Sequence, residues 1–222
     1  MTDLTPAAAL NDAALRPAEL AAHLAARLCH DLISPASAIV SGLDLLDDPS
    51  AQDMRQEAME LIGSSARKLS QLLAFCRVAF GASSSAAVFD SRELETLAQG
   101  VFAHVRADLE WKVEPAGLNK PAARAVLNLA QLGGAALPTG GTTLVRVAQE
   151  GEVVAIAVEA TGPRARLRPE VLAGLRGEMM GEGLHGHWVQ AYYLHQLLTD
   201  AGGRVFADVG DDKVTFAATL PA

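Results

Sequence analysis

The chain has 222 residues, half of them hydrophobic, and a formal net charge of −8. That length buries a real core, as one medium domain or two small ones. An acidic chain without a Lys/Arg-dense segment argues against a nucleic-acid-binding surface, and without a run of about 18 uninterrupted apolar residues no membrane span is expected.

The opening "MTDLTPAAALNDAALRP" has neither a basic leader nor an apolar core run, so it does not read as a signal peptide. Residues 1–16 read as a flexible leader, and Pro17 suits a first helical turn because its missing N–H would be unsatisfied there anyway. A helical pattern covers residues 18–46. Its apolar positions Ala25, Leu28, Leu32, Ala36, Ile39, Leu43 and Leu46 recur in steps of three and four, which makes a bundle seam. "DDPSA" is a turn. A second helical pattern covers 52–80, with a seam through Met54, Ala58, Leu61, Ser65, Leu69, Leu72 and Cys76. So short a turn between two long helices predicts an antiparallel hairpin over 17–80. Cys29 and Cys76 stand in these helical patterns as separate thiols, which suits a reducing compartment; the expected location is the cytoplasm.

"GASSSAA", residues 81–87, has the composition of a linker. Residues 88–222 then alternate in type. "AVFD" is a strand, 91–106 a helix capped by Ser91, "LEWKV" a strand, and 120–137 a helix. "TTLVRVAQEGEVVAIAVEA" is a pair of strands turning at Glu150-Gly151, and "RPEVLAGLRG" is a short helix. A helix over 187–201 ends at Gly202-Gly203, and a hairpin folds over Gly210-Asp211-Asp212. Mixed helices and antiparallel strand pairs give an α+β sandwich for this half.

His30 lies roughly 160° around the first helix from Leu32, so it faces away from the seam. Ser34, Ser37 and Ser41 fall within about 60° of it, with Ile33 beside them, so small side chains line the surface next to the ring. Asp31 follows directly; a neighbouring carboxylate can fix an imidazole tautomer or take its proton. Pro35 has no N–H to bond the Asp31 carbonyl, which predicts a loosened helix at that point. Alone, an exposed helical histidine is a polar surface residue, as His23 is one heptad earlier.

The ordered set His30-Asp31-Leu32-x-x-Pro35 on a helix of a hairpin resembles the phospho-accepting box of two-component histidine kinases. The resemblance implies that His30 is phosphorylated, with Asp31 as its acid–base neighbour and Ser34 where those kinases often carry a Thr or Asn that positions water. A neutral imidazole is a good nucleophile toward a phosphoryl group and forms an N–P bond reactive enough to pass it on. No acid cluster stands near His30 in the chain to hold Mg²⁺, so none is expected intrinsically; the metal is expected to come with the partner.

Residues 88–222 resemble the ATP-binding domain of histidine kinases, a Bergerat-type fold, box by box. Asn128 and Leu129 match the first half of Asn-Leu-x-x-Asn-Ala, but the metal-ligating second Asn falls on Leu132. In "VEATGPRA" the adenine-binding Asp of Asp-x-Gly-x-Gly falls on Ala160 and the second Gly on Arg164. "GEGLHG", residues 181–186, keeps much of the last glycine box. Alanine cannot accept the adenine amino hydrogen, a discrimination of about 1–3 kcal/mol, leucine cannot ligate Mg²⁺, and Arg164 is expected to fill space that phosphates would use. The expected fold is therefore a helical hairpin forming a dimeric four-helix bundle, followed by a degenerate ATPase-like α/β sandwich without ATP or other cofactor.

A histidine box joined to a degenerate kinase domain resembles the dimeric histidine phosphotransferases of alphaproteobacterial cell-cycle phosphorelays, over residues 17–222. The resemblance implies a phosphoryl group accepted from the receiver domain of a hybrid histidine kinase and delivered to downstream response regulators. It implies a homodimer, since two hairpins around a two-fold axis enclose a seam that one cannot. A receiver is expected to dock on Ile33, Ser34, Ser37 and Ser41, with a rim from Arg67 or Lys68. Arg164, Arg166, Arg168 and Arg176 cluster where a kinase has its ATP lid, and are read as a second, electrostatic receiver contact. The competing readings are an active histidine kinase and a phosphorylation-independent dimeric adaptor that binds receivers.

Overall fold

The computed structural model describes residues 15–81, 87–179 and 186–222. Residues 1–14 of the expected leader, most of the expected linker and residues 181–185 of the expected glycine box lie outside the described residues. The first helix, α1 (Pro17–Asp47), opens with Pro17 in its first turn, and the Glu19 carboxylate accepts the Arg16 N–H at 3.2 Å. It runs unbroken through Pro35, which is buried. At its end the Asp48 carboxylate accepts from the Ser50 N–H at 2.8 Å and the Ser50 hydroxyl at 2.7 Å. That cap starts a 3-10 segment, Pro49–Met54, in which Ala51 leaves helical geometry (φ −106°, ψ 26°). The second helix, α2 (Arg55–Ala79), therefore begins three residues later than periodicity predicts.

The two helices form the expected antiparallel hairpin, approaching closely at Gly42. A Cβ there would lie 2.6 Å from Ile62 Cγ1 and 3.2 Å from the Ala58 carbonyl oxygen. The predicted seam is unevenly covered. Ala58 and Ser65 are buried, Leu28, Leu32, Ala36 and Ile39 are half-buried, and Ala25 is exposed. Leu43, Met54 and Leu61 keep 48%, 44% and 37% of their surface exposed, and Val40, Met59 and Leu73 are exposed as well.

The remaining chain is a two-layer sandwich. Five strands, β2 (Ala107–Val113), β4 (Gly141–Glu150), β5 (Val153–Thr161), β6 (Arg204–Gly210) and β7 (Lys213–Pro221), form one sheet in the order β2-β4-β5-β7-β6, with only β2 and β4 parallel. Alternate residues face inward: Val145 and Val147, Val154, Ile156 and Val158, Val214, Phe216 and Ala218 are all buried. Helices α3 (Ser91–Phe102), α4 (Lys120–Ala135), α5 (Pro169–Leu175) and α6 (Gly186–Asp200) pack against the inward face. The outward face carries a charge ladder in which Glu159 accepts from Arg146 and Lys213. These pairs hold the Glu159 carboxyl below its ordinary pKa, the Lys213 bond contributing most.

Three local details differ from the sequence expectation. Asp90, not Ser91, caps α3, accepting from the Arg92 N–H at 2.7 Å, while the Ser91 hydroxyl donates to the Pro115 carbonyl. Helix α3 stops at Phe102 rather than continuing to residue 106. A two-stranded ladder of β1 (Val88–Asp90) and β3 (Gly117–Asn119) precedes α4, and Asn119 caps that helix through the Ala122 N–H at 2.9 Å.

The hairpin base shares the sandwich core. Phe75 and Ala79 of α2 are buried with the α3 and α4 residues. The Ala79 carbonyl, an orphan acceptor at a helix C-terminus, receives the Asn128 amide at 3.2 Å and the Tyr193 hydroxyl at 3.3 Å. Leu15, Leu20 and Leu24 form a second small core with Trp188, Val189 and Tyr192 of α6, whose two rings stack 4.8 Å apart.

Candidate functional site

His30 sits on α1 with its side chain 87% exposed, and its Nδ1 lies 3.2 Å from Oδ1 of Asp31. An ionised carboxylate only accepts hydrogen bonds, so this contact suits a ring that carries its proton on Nδ1, the tautomer whose Nε2 lone pair is free to attack. The second Asp31 oxygen faces Arg27 Nε at 3.5 Å. Beneath this pair lies Cys76 of α2, whose thiol is pushed up to about 11 by burial and by Asp31, partly offset by Arg27.

A cleft of about 300 Å³ opens beside the ring, between the hairpin and the sandwich. His30, Asp31 and Ser34 form its α1 wall, Lys68 and Leu72 its α2 wall, and Val101, His104, Val105 and Gln131 its far wall. Across it, His104 Nε2 bonds Gln71 Oε1 at 2.6 Å, and partial burial with the Lys68 cation nearby pushes the His104 pKa below its ordinary value. The cleft thus joins a free nucleophilic nitrogen, a hydroxyl and an ammonium group. Those are the groups that attack a phosphoryl centre and neutralise its charge.

Of the residues singled out from sequence, His30, Asp31, Ser34 and Lys68 share this cleft. Ile33, Ser37 and Ser41 are exposed farther along α1, Ile33 at 63%, and Arg67 is exposed on α2; none of these lines the cleft. Arg164, Arg166 and Arg168 are exposed on the segment after β5, away from the cleft lining. Strand pairing of Ala107 with Gly141 and of Thr142 with Thr161 puts that segment at the sheet end where Val105 leads into β2. Arg168 and Arg176 lie 4.0 Å and 3.8 Å from Glu170 and Glu178. Arg164 does not fill an interior space as expected. It points outward while its backbone holds φ +61°, the conformation that favours glycine, with its N–H donating to Asp212 at 2.9 Å.

The positions that carry nucleotide chemistry in kinases are packed here. Leu132 and Ala160 are buried in the core. Asn128, also buried, spends its amide on the Ala79 and Arg124 carbonyls and its oxygen on Gln190. Among the described residues no group of three His, Cys, Asp or Glu side chains is placed to hold a metal, and no helix is long and apolar enough to cross a membrane.

Arg27, Gln71, His104 and Gln131 escaped the sequence reading. Arg27 stands four residues before Asp31, a spacing that makes helical ion pairs, so it was legible in principle. His104 and Gln131 come from separate elements of the second half, and no local pattern couples them to His30.

The described geometry agrees with what the chain resembles. A family model described as the histidine phosphotransferase C-terminal domain matches residues 91–213. Protein phosphotransferase ChpT of Brucella abortus (strain 2308) is 33% identical over 201 residues, covering 90% of this chain and 95% of that protein. A solved structure reported as a 1.7 Angstrom structure of a bacterial phosphotransferase superimposes with a TM-score of 0.83 at 31% identity, covering 92% of this chain and 97% of that one.

With its pKa near 11, Cys76 is essentially all thiol at neutral pH, whereas Cys29 is exposed. Iodoacetamide at pH 7.5 is expected to alkylate Cys29 in the folded protein and to spare Cys76 until denaturant is added. Peptide mass mapping that finds Cys76 modified first would contradict its half-buried setting beside Asp31.

Proposed function

The chain belongs to the histidine phosphotransferase family, and from that premise we propose that His30 is the residue through which it passes phosphoryl groups. The protein is a phosphotransferase of a two-component phosphorelay. The observation that carries the His30 assignment is the exposed ring held at Nδ1 by Asp31, 3.2 Å away. In the step we propose, the Nε2 lone pair attacks the phosphorus of an aspartyl phosphate on a receiver. An N–P bond forms, the P–O bond to the receiver breaks, and its electron pair returns to the receiver carboxylate. The positive charge gained by the ring is stabilised by Asp31, which can also take the Nδ1 proton. The reverse sequence delivers the group to the aspartate of a second receiver.

Ser34 and Lys68 flank the path of the phosphoryl group, and Mg²⁺ comes with the receiver pocket. Donor and acceptors are the receiver of a hybrid histidine kinase and those of downstream response regulators, in a cell-cycle relay. The burial of Leu132 and Ala160 supports a chain that does not draw on ATP. The two free thiols suit the reducing cytoplasm that this reading implies.

Incubation with a phosphorylated receiver is expected to place acid-labile, base-stable phosphate on the wild-type chain and none on His30→Gln, while labelled ATP alone gives no label. Label retained on His30→Gln would remove the assignment; label from ATP alone would favour an active kinase. A variant that lacks label but keeps every effect on receivers would favour an adaptor.

The uncovered upper hairpin supports a homodimer. Val40, Leu43, Met54 and Leu61 would be enclosed where two hairpins pack as a four-helix bundle, with each His30 facing outward. Light scattering is expected to give twice the 23.2 kDa chain mass; a mass near one chain at micromolar concentration would defeat this arrangement.

Receivers present an acidic pocket, and exposed Ile33, Ser37 and Ser41 continue the surface on which one would dock, with Arg67 on its rim. Arg164, Arg166 and Arg168 add positive charge at the sheet end nearest Val105. Long-range attraction raises encounter rate most when screening is weak. Arg166→Glu is accordingly expected to slow transfer at low ionic strength by a larger factor than at high. Identical rates for variant and wild type at low salt would exclude these arginines from the encounter.

A further inference from the structure

The Asp31 carboxylate has two oxygens with separate partners. Oδ1 faces His30 Nδ1 at 3.2 Å and Oδ2 faces Arg27 Nε at 3.5 Å. Arg27 also donates through Nη1 to the carbonyl of Gly186, the first residue of α6. Its side chain is only 10% exposed, although it lies one helical turn from a ring that is 87% exposed. Burial works against the charged guanidinium, lowering its pKa, and Asp31 opposes that loss. An exposed ion pair on a helix adds little and fixes nothing. A buried guanidinium with one edge on a carboxylate and another on a main-chain carbonyl is held in a set orientation.

We propose that Arg27 is a positioning residue for phosphoryl transfer: anchored to α6 through Gly186, it holds Asp31, and through Asp31 the tautomer of His30. The inference rests on His30 being the phosphoryl acceptor. An aspartate can rotate about two side-chain bonds; fixing Oδ2 on Arg27 leaves Oδ1 aimed along α1 at the ring. The tautomer matters because a free neutral histidine prefers its proton on Nε2, which would occupy the nitrogen that must attack. The Asp31 bond reverses that preference, and Arg27 keeps Asp31 in place to do so. The sandwich, whose nucleotide positions are packed shut, thereby takes part in the chemistry at His30 through one side chain.

The test uses the full-length protein and phosphoramidate, a small donor that transfers its phosphoryl group to histidine and releases ammonia, so receiver docking plays no part. Nitrogen-resolved NMR of His30 reads the tautomer directly. Wild type is expected to show the Nδ1–H form and to be phosphorylated at His30. Arg27→Gln is expected to shift the ring toward the Nε2–H form and to slow labelling roughly tenfold, the scale of a modest misplacement of a reacting group, with its circular dichroism and mass in solution unchanged. Arg27→Lys keeps the charge but has one nitrogen, which cannot serve both contacts, so it is expected to behave like the glutamine variant. Unchanged tautomer and rate in Arg27→Gln, or full recovery in Arg27→Lys, would overturn the proposal. A wild-type spectrum with the proton on Nε2 would overturn it without any variant. A wild-type chain that takes no label at His30 would instead sink the acceptor assignment, and this inference with it.

Discussion

The last turn of α2 is seated inside the sandwich, and the surroundings of His30 follow from that seat. Phe75 and Ala79 are buried among residues of α3 and α4, and the Ala79 carbonyl is bonded by both Asn128 and Tyr193. A buried carbonyl without a partner would cost about 1–3 kcal/mol, so these two donors make the junction specific as well as apolar. With the base fixed, α1 packs against α6, Arg27 reaches Gly186, and the turn after α3, which carries His104, closes the cleft opposite His30. A hairpin on a slack tether would have no such opposite wall.

The same junction explains what became of the nucleotide-binding positions. Asn128 retains the residue type seen in kinases but spends its hydrogen bonds on the α2 terminus and on Gln190. Leu132 and Ala160 are core residues, and an apolar core is where leucine and alanine stabilise most. The second half has kept the backbone of its resemblance, even to a left-handed Arg164 at a position where kinases place glycine, while its side chains serve packing.

Much of this architecture was legible in the chain. Helices α1 and α2 follow from apolar residues spaced three and four apart, and β4 and β5 from alternation, because each of those elements buries one face. His30-Asp31 with Pro35 pointed, from sequence alone, to the turn of α1 on which the proposed phosphoryl acceptor stands. What escaped was either short or non-local. Strand β3 has three residues, too few to show a period. Asp90 and Ser91 are both good caps, and only the Pro115 carbonyl, 24 residues away, claims the serine. The late start of α2 reflects Asp48 capturing Ser50, a competition that helical periodicity does not register. The far wall of the cleft, His104 and Gln131, exists only because α3 and α4 are packed against the hairpin.

The close approach at Gly42 gives the hairpin two mechanically distinct ends. A side chain there would collide with Ile62 and with backbone of α2, wedging the helices apart. Twelve residues at about 1.5 Å each separate Gly42 from His30, so the wedge would act about 18 Å from the His30 ring, while the opposite end stays riveted in the sandwich. Splaying the top would alter whatever surface covers Leu43 and Leu61 and leave the neighbourhood of Asp31 standing. A substitution at residue 42 would therefore bear on the exposed apolar end of the hairpin and spare the turn that carries Asp31, a separation that hangs on one missing methyl group.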